Sequence, residues 1–220
     1  MAKKPTADLR IELLAEWHDR RGFSCGVENL DRYLKTQAGQ DVRRRANVVF
    51  VLAAVAEPER ILGYYTLCAM TVSQGEVPEA ARKVIPRYPL VSATLIGRLA
   101  VAKDRQGQRL GAILLADALQ RAFASASTVG SSMVVVDALD EAAAGFYAAH
   151  GFIRLPDSRR LVLPMVRAGG MNTKVTVGAF SSLRPGQGLG SGARSETIAY
   201  VWALWGKPVA LLRYHFGSHA

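Results

Sequence analysis

The run Met133-Val-Val-Val-Asp-Ala138 constrains the fold of this chain more than any other. An extended segment with apolar residues on both faces has to be covered on both sides, so it belongs at the centre of a sheet with helices above and below it. The neighbouring patterns suit that position. Residues 110–123 place Leu110, Leu114, Ala118 and Arg121 along one helical edge, with Ile113, Leu115 and Leu119 beside it. After the apolar run, Asp140 is placed to cap a helix over 141–150. Upstream, residues 48–56 and 61–72 are β-branched and aromatic runs separated by Glu57-Pro-Glu-Arg60, a turn between two strands. Further strands are expected over 10–14, 93–102, 152–155 and 161–164, and helices over 27–40 and 79–84. The order of elements predicts an α/β fold: a central mixed sheet of six to seven strands with helices on both faces.

The chain has 220 residues, half of them hydrophobic and 21% charged, which excludes a mainly disordered protein. Composition shifts near residue 168, where Ala168-Gly-Gly170 begins a segment with a Gly/Ser/Pro stretch at 181–192 and one acidic residue, Glu196. The reading is a folded domain over 1–167 and a glycine-rich C-terminal extension over 168–220 that includes a linker. Thr197 to Trp205, with Trp202 and Trp205, has the composition of a strand or a docking segment. Cys25 and Cys68 are too few for a disulfide framework or a four-cysteine zinc site, and no metal is expected. No apolar run reaches the ~18 residues of a membrane span, which predicts a soluble, cytoplasmic protein with no membrane partner. A formal net charge of +10 favours an acidic partner such as a nucleic acid or a phosphorylated cofactor.

The chemistry is concentrated in Ile96-Gly-Arg-Leu-Ala-Val101 and the residues that follow, Lys103 to Leu115. A strand runs into a loop containing Gly107, and a helix opens near Gly111. In such a layout the loop and the first helical turn point their N–H groups one way, toward a phosphate. Gln106-Gly-Gln-Arg-Leu-Gly111 resembles the acetyl-coenzyme A loop of the GNAT acetyltransferases: Arg or Gln, two residues, Gly, one residue, then Gly or Ala. Arg109 stands where that family has its first glycine. An L-residue there can donate its N–H if φ stays negative, and its guanidinium can sit on a phosphate. The resemblance places Leu99, Ala100, Val101, Arg105, Gln106, Gly107, Gln108, Arg109, Leu110, Gly111, Ala112 and Phe146 against acetyl-coenzyme A. Downstream, Phe146-Tyr-Ala-Ala-His-Gly-Phe152 is similar to a GNAT ending in which the tyrosine hydroxyl faces the coenzyme sulfur. Tyr147 is therefore the expected general acid for the departing thiolate, since a phenol with pKa near 10 keeps its proton at pH 7.

Several shorter segments, in order, look like one branch of that family: Phe23-Ser-Cys-Gly26, Leu30-Asp-Arg-Tyr-Leu34, Gln40-Asp-Val-Arg-Arg-Arg45, Gly63-Tyr-Tyr-Thr-Leu67, Pro86-Arg-Tyr-Pro89 and Ile96-Gly-Arg-Leu-Ala-Val101. They resemble the GNAT-type toxins of bacterial toxin–antitoxin modules over residues 8–166. The resemblance implies acetylation of the α-amino group of aminoacyl-tRNA, which blocks translation. It also implies a homodimer, silencing by a ribbon–helix–helix antitoxin, and operator DNA reached only through that antitoxin in a repressor complex. Arg43, Arg44, Arg45, Lys83, Arg87 and Arg98 are the candidate RNA contacts. Two other readings stay open: a GNAT enzyme acting on a protein lysine or small amine, and a basic RNA-binding module without catalysis.

No obvious base accompanies these motifs. His18 and His150 lie outside the expected site, and Asp137 serves catalysis or packing equally well. An α-amine with pKa near 7.7–8.0 is already substantially neutral at physiological pH, whereas a lysine amine is not. An aminoacyl-ester acceptor therefore suits a site without a strong base.

Overall fold

A computed structural model of the chain describes residues 8–165 and the backbone of three strands beyond them. In chain order the elements are β1 (Leu9–Leu13), α1 (Glu28–Arg32), a π-turn (Tyr33–Gln37), α2 (Ala38–Arg43), β2 (Val48–Ala54), β3 (Gly63–Ser73), α3 (Glu79–Arg82) and β4 (Leu90–Val101). There follow α4 (Leu110–Val129), β5 (Met133–Asp137), α5 (Glu141–Ala149), β6 (Ile153–Arg154) and β7 (Arg160–Pro164), then β8 (Val177–Gly178), β9 (Thr197–Trp202) and β10 (Pro208–Tyr214).

The strands lie in the order β6-β7-β5-β4-β3-β2-β1, and β10-β9-β8 continue the sheet beyond β1. The first seven form the expected mixed sheet: β4 and β5 are parallel, and the other pairs among them are antiparallel. β10 meets β1 in parallel at Leu9↔Leu212, so the extension contributes strands as well as linker composition. Trp205 and the stretch 181–192 lie outside the described residues.

The apolar run is buried on both faces for the reason its sequence suggests. Met133, Val134, Val135 and Val136 have no exposed surface. Val134 and Val136 join the core beneath α4 and α5, with Leu114, Ala118, Ala144 and Tyr147. Met133 and Val135 face the other way, onto Val77, Ala81 and Ile85 around α3. On that second face, α1 and α2 cover a separate cluster of Phe23, Tyr33, Leu34, Val51, Tyr64 and Ala100. Burial on this scale, at roughly 25 cal/mol per Å² of apolar area, is what holds the sheet and its helices together.

Two helices run further than expected. The helix expected over 27–40 runs to Arg43 and contains a π-turn, which admits one extra residue per turn where Tyr33 enters the core. The helix expected to stop at 123 continues to Val129, because Ala124 to Val129 contains no breaker before Gly130, whose φ is +78°. Asp140 caps α5 as expected, its carboxylate accepting the Ala143 N–H at 2.7 Å.

One departure from regular pairing positions the site. β4 pairs with β5 only from Ala93↔Met133 to Ile96↔Val136, then continues to Val101 paired with β3 alone. At the same point the β3–β4 register shifts, so that Leu67 opposes Ile96 and Thr66 opposes Arg98. Gly97 is the extra residue of a β-bulge, a device that bends a strand out of its ladder. Beyond it, β4 and β5 part, and the β4 edge from Gly97 to Val101 faces the gap.

Candidate active site

The loop after β4 is held from behind and left open in front. Behind it, the Lys103 N–H donates to the Ser24 carbonyl at 2.9 Å, and the Gln106 amide donates to the Cys25 and Val101 carbonyls at 2.9 and 3.2 Å. The Gln106 side chain therefore fastens the loop to the segment before α1, and only its main chain is free toward a ligand. Burial and the Asp31 carboxylate push the Cys25 thiol up to about 11, so it stays a neutral packing group.

In front, the N–H groups of Gln106, Gly107, Gln108, Arg109, Leu110 and Gly111 meet no acceptor among the described residues. Gly107 has φ +75°, which favours glycine. Arg109, the residue before α4, has φ +62° and ψ +13°. The condition of a negative φ at Arg109 is therefore not met: the loop demands the left-handed conformation that glycine would adopt without strain. No side chain caps α4 and no acidic residue lies in its first turn, so the positive end of its dipole is uncompensated. A row of free N–H groups at such a helix start fits a pyrophosphate. Gln108 and Arg109 are exposed, Arg105 is half-buried with its Nε 3.5 Å from Asp104, and the Leu110 side chain is buried.

The three β4 positions divide between the faces of the sheet. Leu99 and Val101 lie against the core beneath α4 and α5, whereas the Ala100 methyl is buried on the opposite side with Phe23 and Tyr64. Ala100 can offer only backbone to the gap. A Cβ on Gly111 would lie 3.9 Å from both Phe146 and Val101, so the end of β4, the start of α4 and the middle of α5 converge there. Ala112, next along α4, is half-buried.

Tyr147 lies one residue further on α5. Its ring is 7% exposed and packs 5.2 Å from Phe146 and 5.6 Å from Phe152, centroid to centroid. Its hydroxyl has no hydrogen-bond partner among the described residues and is not one of the polar atoms sealed from solvent. Burial pushes the phenol up to about 12, which keeps it protonated throughout the physiological range.

The face carrying α1 and α2 brings some of the basic residues together. The Arg98 guanidinium stacks 3.5 Å above the Tyr33 ring, the Tyr33 hydroxyl donates to Asp41 at 2.9 Å, and Asn47 donates to the same carboxylate at 2.9 Å. These contacts link the β4 bulge to α2, at whose end Arg43, Arg44 and Arg45 are exposed. Lys83 and Arg87 are not part of this group. Lys83 is paired with Glu79 at 3.2 Å, and Arg87 sits in the turn before β4, eight strand residues or about 26 Å from Arg98 at ~3.3 Å per residue. Arg20, which the sequence did not single out, joins the α2 group across Gly39.

The remaining titratable candidates have other work. Asp137 forms a two-point pair with Arg160 at 2.7 and 3.0 Å, which explains its place at the end of the apolar run. His18 is buried, 3.1 Å from Glu12. His150 is nearer the site than expected: its ring lies 4.6 Å from that of Phe146, and its Nδ1 is 2.7 Å from the Phe146 carbonyl. Among the described residues, no three His, Cys, Asp or Glu side chains gather to hold a metal, and no helix is long and apolar enough to cross a membrane.

Comparison with known proteins accounts for this arrangement. Residues 47–154 match the acetyltransferase (GNAT) domain. A tRNA-acetylating toxin of Mycobacterium tuberculosis is 31% identical over 153 residues, covering 69% of this chain and 89% of the relative. Among solved structures, AtaT complexed with acetyl-methionyl-tRNAfMet is 31% identical with a TM-score of 0.69, covering 74% of this chain and 99% of that one. A tyrosine-to-phenylalanine variant of AtaT, bound to the C-terminus of the antitoxin AtaR and to acetyl-CoA, is 30% identical with a TM-score of 0.63, covering 76% and 99%. With its parted strands, open loop and tyrosine helix in GNAT order, this chain belongs to the GNAT acetyltransferases, in the branch of the toxin–antitoxin toxins.

Proposed function

We propose that this protein is a toxin that transfers acetyl from acetyl-CoA to the α-amino group of aminoacyl-tRNA and so blocks translation. The observation that supports this most is the loop of free N–H groups opening beside the gap between β4 and β5, with Tyr147 on the helix that closes it. The coenzyme, when bound, supplies an activated acetyl thioester. The N–H groups of residues 106–111 hold its phosphates, and the Gly97–Val101 edge of β4 offers strand-like hydrogen bonds to the extended part of the molecule. Val101, Gly111 and Phe146 form the apolar wall of the gap, and Leu99 continues it along the strand.

Tyr147 donates the proton that the departing thiolate needs. A phenol held protonated by burial, with a hydroxyl free of protein partners, suits that role. No group in the site has to act as a strong base, because an aminoacyl-ester amine is partly neutral at physiological pH and can pass its proton to water. A lysine acceptor would need a base that the paired Asp137 does not provide, which favours the aminoacyl ester over a protein lysine. Arg98 and the exposed Arg43–Arg45 group carry the RNA phosphates; Arg87, before the far end of β4, and Lys83, paired with Glu79, are left out of that contact.

As a toxin of this branch, the protein is held inactive by an antitoxin, of the ribbon–helix–helix class, whose C-terminal segment covers the toxin. Operator DNA is reached through that antitoxin, and the toxin itself is a homodimer. Labelled acetyl-CoA, supplied with charged and with deacylated tRNA, tests the reaction. Label is expected on charged tRNA alone. Transfer to protein, or to neither RNA, overturns the reading.

A further inference from the structure

The structure carries a feature on its α2 face that the acetyl-transfer reading does not require: a glycine used as the seat of an arginine. Gly39 lies inside α2, a position where alanine is the better helix former. A Cβ there would lie 2.7 Å from an Nη atom of Arg20 and 3.6 Å from an Nη atom of Arg43. The first distance is shorter than real Cβ contacts, so the end of the flexible Arg20 side chain lies directly over Gly39 and would have to move aside for any side chain there. Two guanidinium groups therefore converge over one helical turn, and neither has an ion-pair partner among the described residues. The turn that presents Arg20 is fixed: the Asp19 carboxylate accepts the Arg21 and Gly22 N–H groups, both at 3.0 Å, and the Asp19 N–H donates to the Glu59 carbonyl at 2.8 Å. Asp19 is thus occupied with the backbone of its own turn. Two positive groups held close without a carboxylate between them match the charge and reach of a phosphodiester.

We propose that Arg20 and Arg43, brought together over Gly39, form a phosphate clamp for the tRNA backbone. This rests on the aminoacyl-tRNA reading and adds to it a specific contact on a residue that the sequence patterns do not mark. The clamp contacts phosphate rather than bases, so it contributes affinity and orientation without selecting sequence.

Gly39→Ala tests the clamp without removing a charge. The new methyl group shifts the end of the Arg20 side chain away from Arg43 while improving the helix. The variant is expected to bind tRNA several-fold more weakly near 100 mM salt, with the slope of log K against log salt reduced by about one. Its melting temperature is expected to equal or exceed that of the wild type, and its acetyl-CoA affinity to be unchanged. Arg20→Ala is expected to show the same loss, and the double variant no more than the larger single effect, since both disrupt one contact. If Arg20→Ala binds tRNA like the wild type, the clamp is refuted whatever Gly39→Ala does. A wild-type protein that does not bind tRNA at all refutes the underlying substrate reading instead, so the two failures are distinguishable.

Discussion

Tyr147→Phe removes one hydroxyl and leaves nearly everything else in place, which makes it the sharpest probe of the reaction. The ring contacts with Phe146 and Phe152 involve carbon only, so phenylalanine keeps them. The hydroxyl has no hydrogen bond to lose among the described residues, so the stability change is expected within about 0.5 kcal/mol. Acetyl-CoA affinity, which the proposed function assigns to the loop and β4, should change less than twofold. The loss should fall on kcat, by 10²- to 10⁴-fold, because protonation of a leaving group by a positioned acid is worth about that much. In barrier terms that is roughly 3–5 kcal/mol. The pH dependence gives a second check. Burial raises the phenol to about 12, so the acid form persists through any practical assay and the wild type should lose no activity to Tyr147 ionisation below about pH 11. The same sign governs folding: the group's contribution is constant below about pH 10, its unfolded value, and is lost as pH climbs toward 12. Single-turnover acetylation of charged tRNA, with coenzyme binding by calorimetry, measures each quantity. A variant within threefold of the wild type in kcat would mean that Tyr147 only fills the core.

Three further outcomes follow from particular contacts. Arg109→Gly relieves a left-handed L-residue, a strain of about 1–2 kcal/mol, against the ~0.5–1 kcal/mol entropic cost of ordering glycine. Its melting temperature should therefore hold or rise while acetyl-CoA binds more weakly for want of the guanidinium; a fall of more than about three degrees refutes the strain argument. Asp117 is 2% exposed, accepts the Tyr65 hydroxyl and pairs with Arg121 at 2.8 Å beneath α4. Asp117→Ala should cost about 3 kcal/mol in urea unfolding, since it strands a buried phenol and an arginine, whereas a loss below 1 kcal/mol would show that water replaces the carboxylate. Deleting residues 169–220 removes the strands beyond β1 but none of the residues proposed for the site, so acetylation should persist with a melting temperature lowered by only a few degrees; loss of activity would make the extension part of the enzyme.

The sequence by itself determined the order of elements, and the reason is local. A doubly buried strand needs an unbroken apolar run, a helix needs a 3.6-residue stripe, and the loop before α4 needs Gly107 where φ is positive. Each requirement is written in consecutive residues, which is why β5, α4 and the loop between β4 and α4 could be named from the chain alone, whereas Tyr147 was named only through the resemblance of residues 146–152 to a GNAT ending. What depends on neighbours distant in sequence could not be read. The parting of β4 from β5 follows from a one-residue register shift against β3, and a shift of register leaves no mark in the composition of a strand. The left-handed Arg109 was signalled only by the glycine that the GNAT pattern has at its position, because an arginine itself gives no sign that its backbone has been forced into a glycine's conformation. Among the basic residues, charge was legible but proximity was not: six arginines and lysines looked equivalent along the chain. Folding set Arg98 on Tyr33, paired Lys83 with Glu79, left Arg87 at the far end of β4, and brought the unmarked Arg20 over Gly39. A side chain's type fixes what it can bind, but the packing of helices on a sheet decides which of its neighbours it meets there.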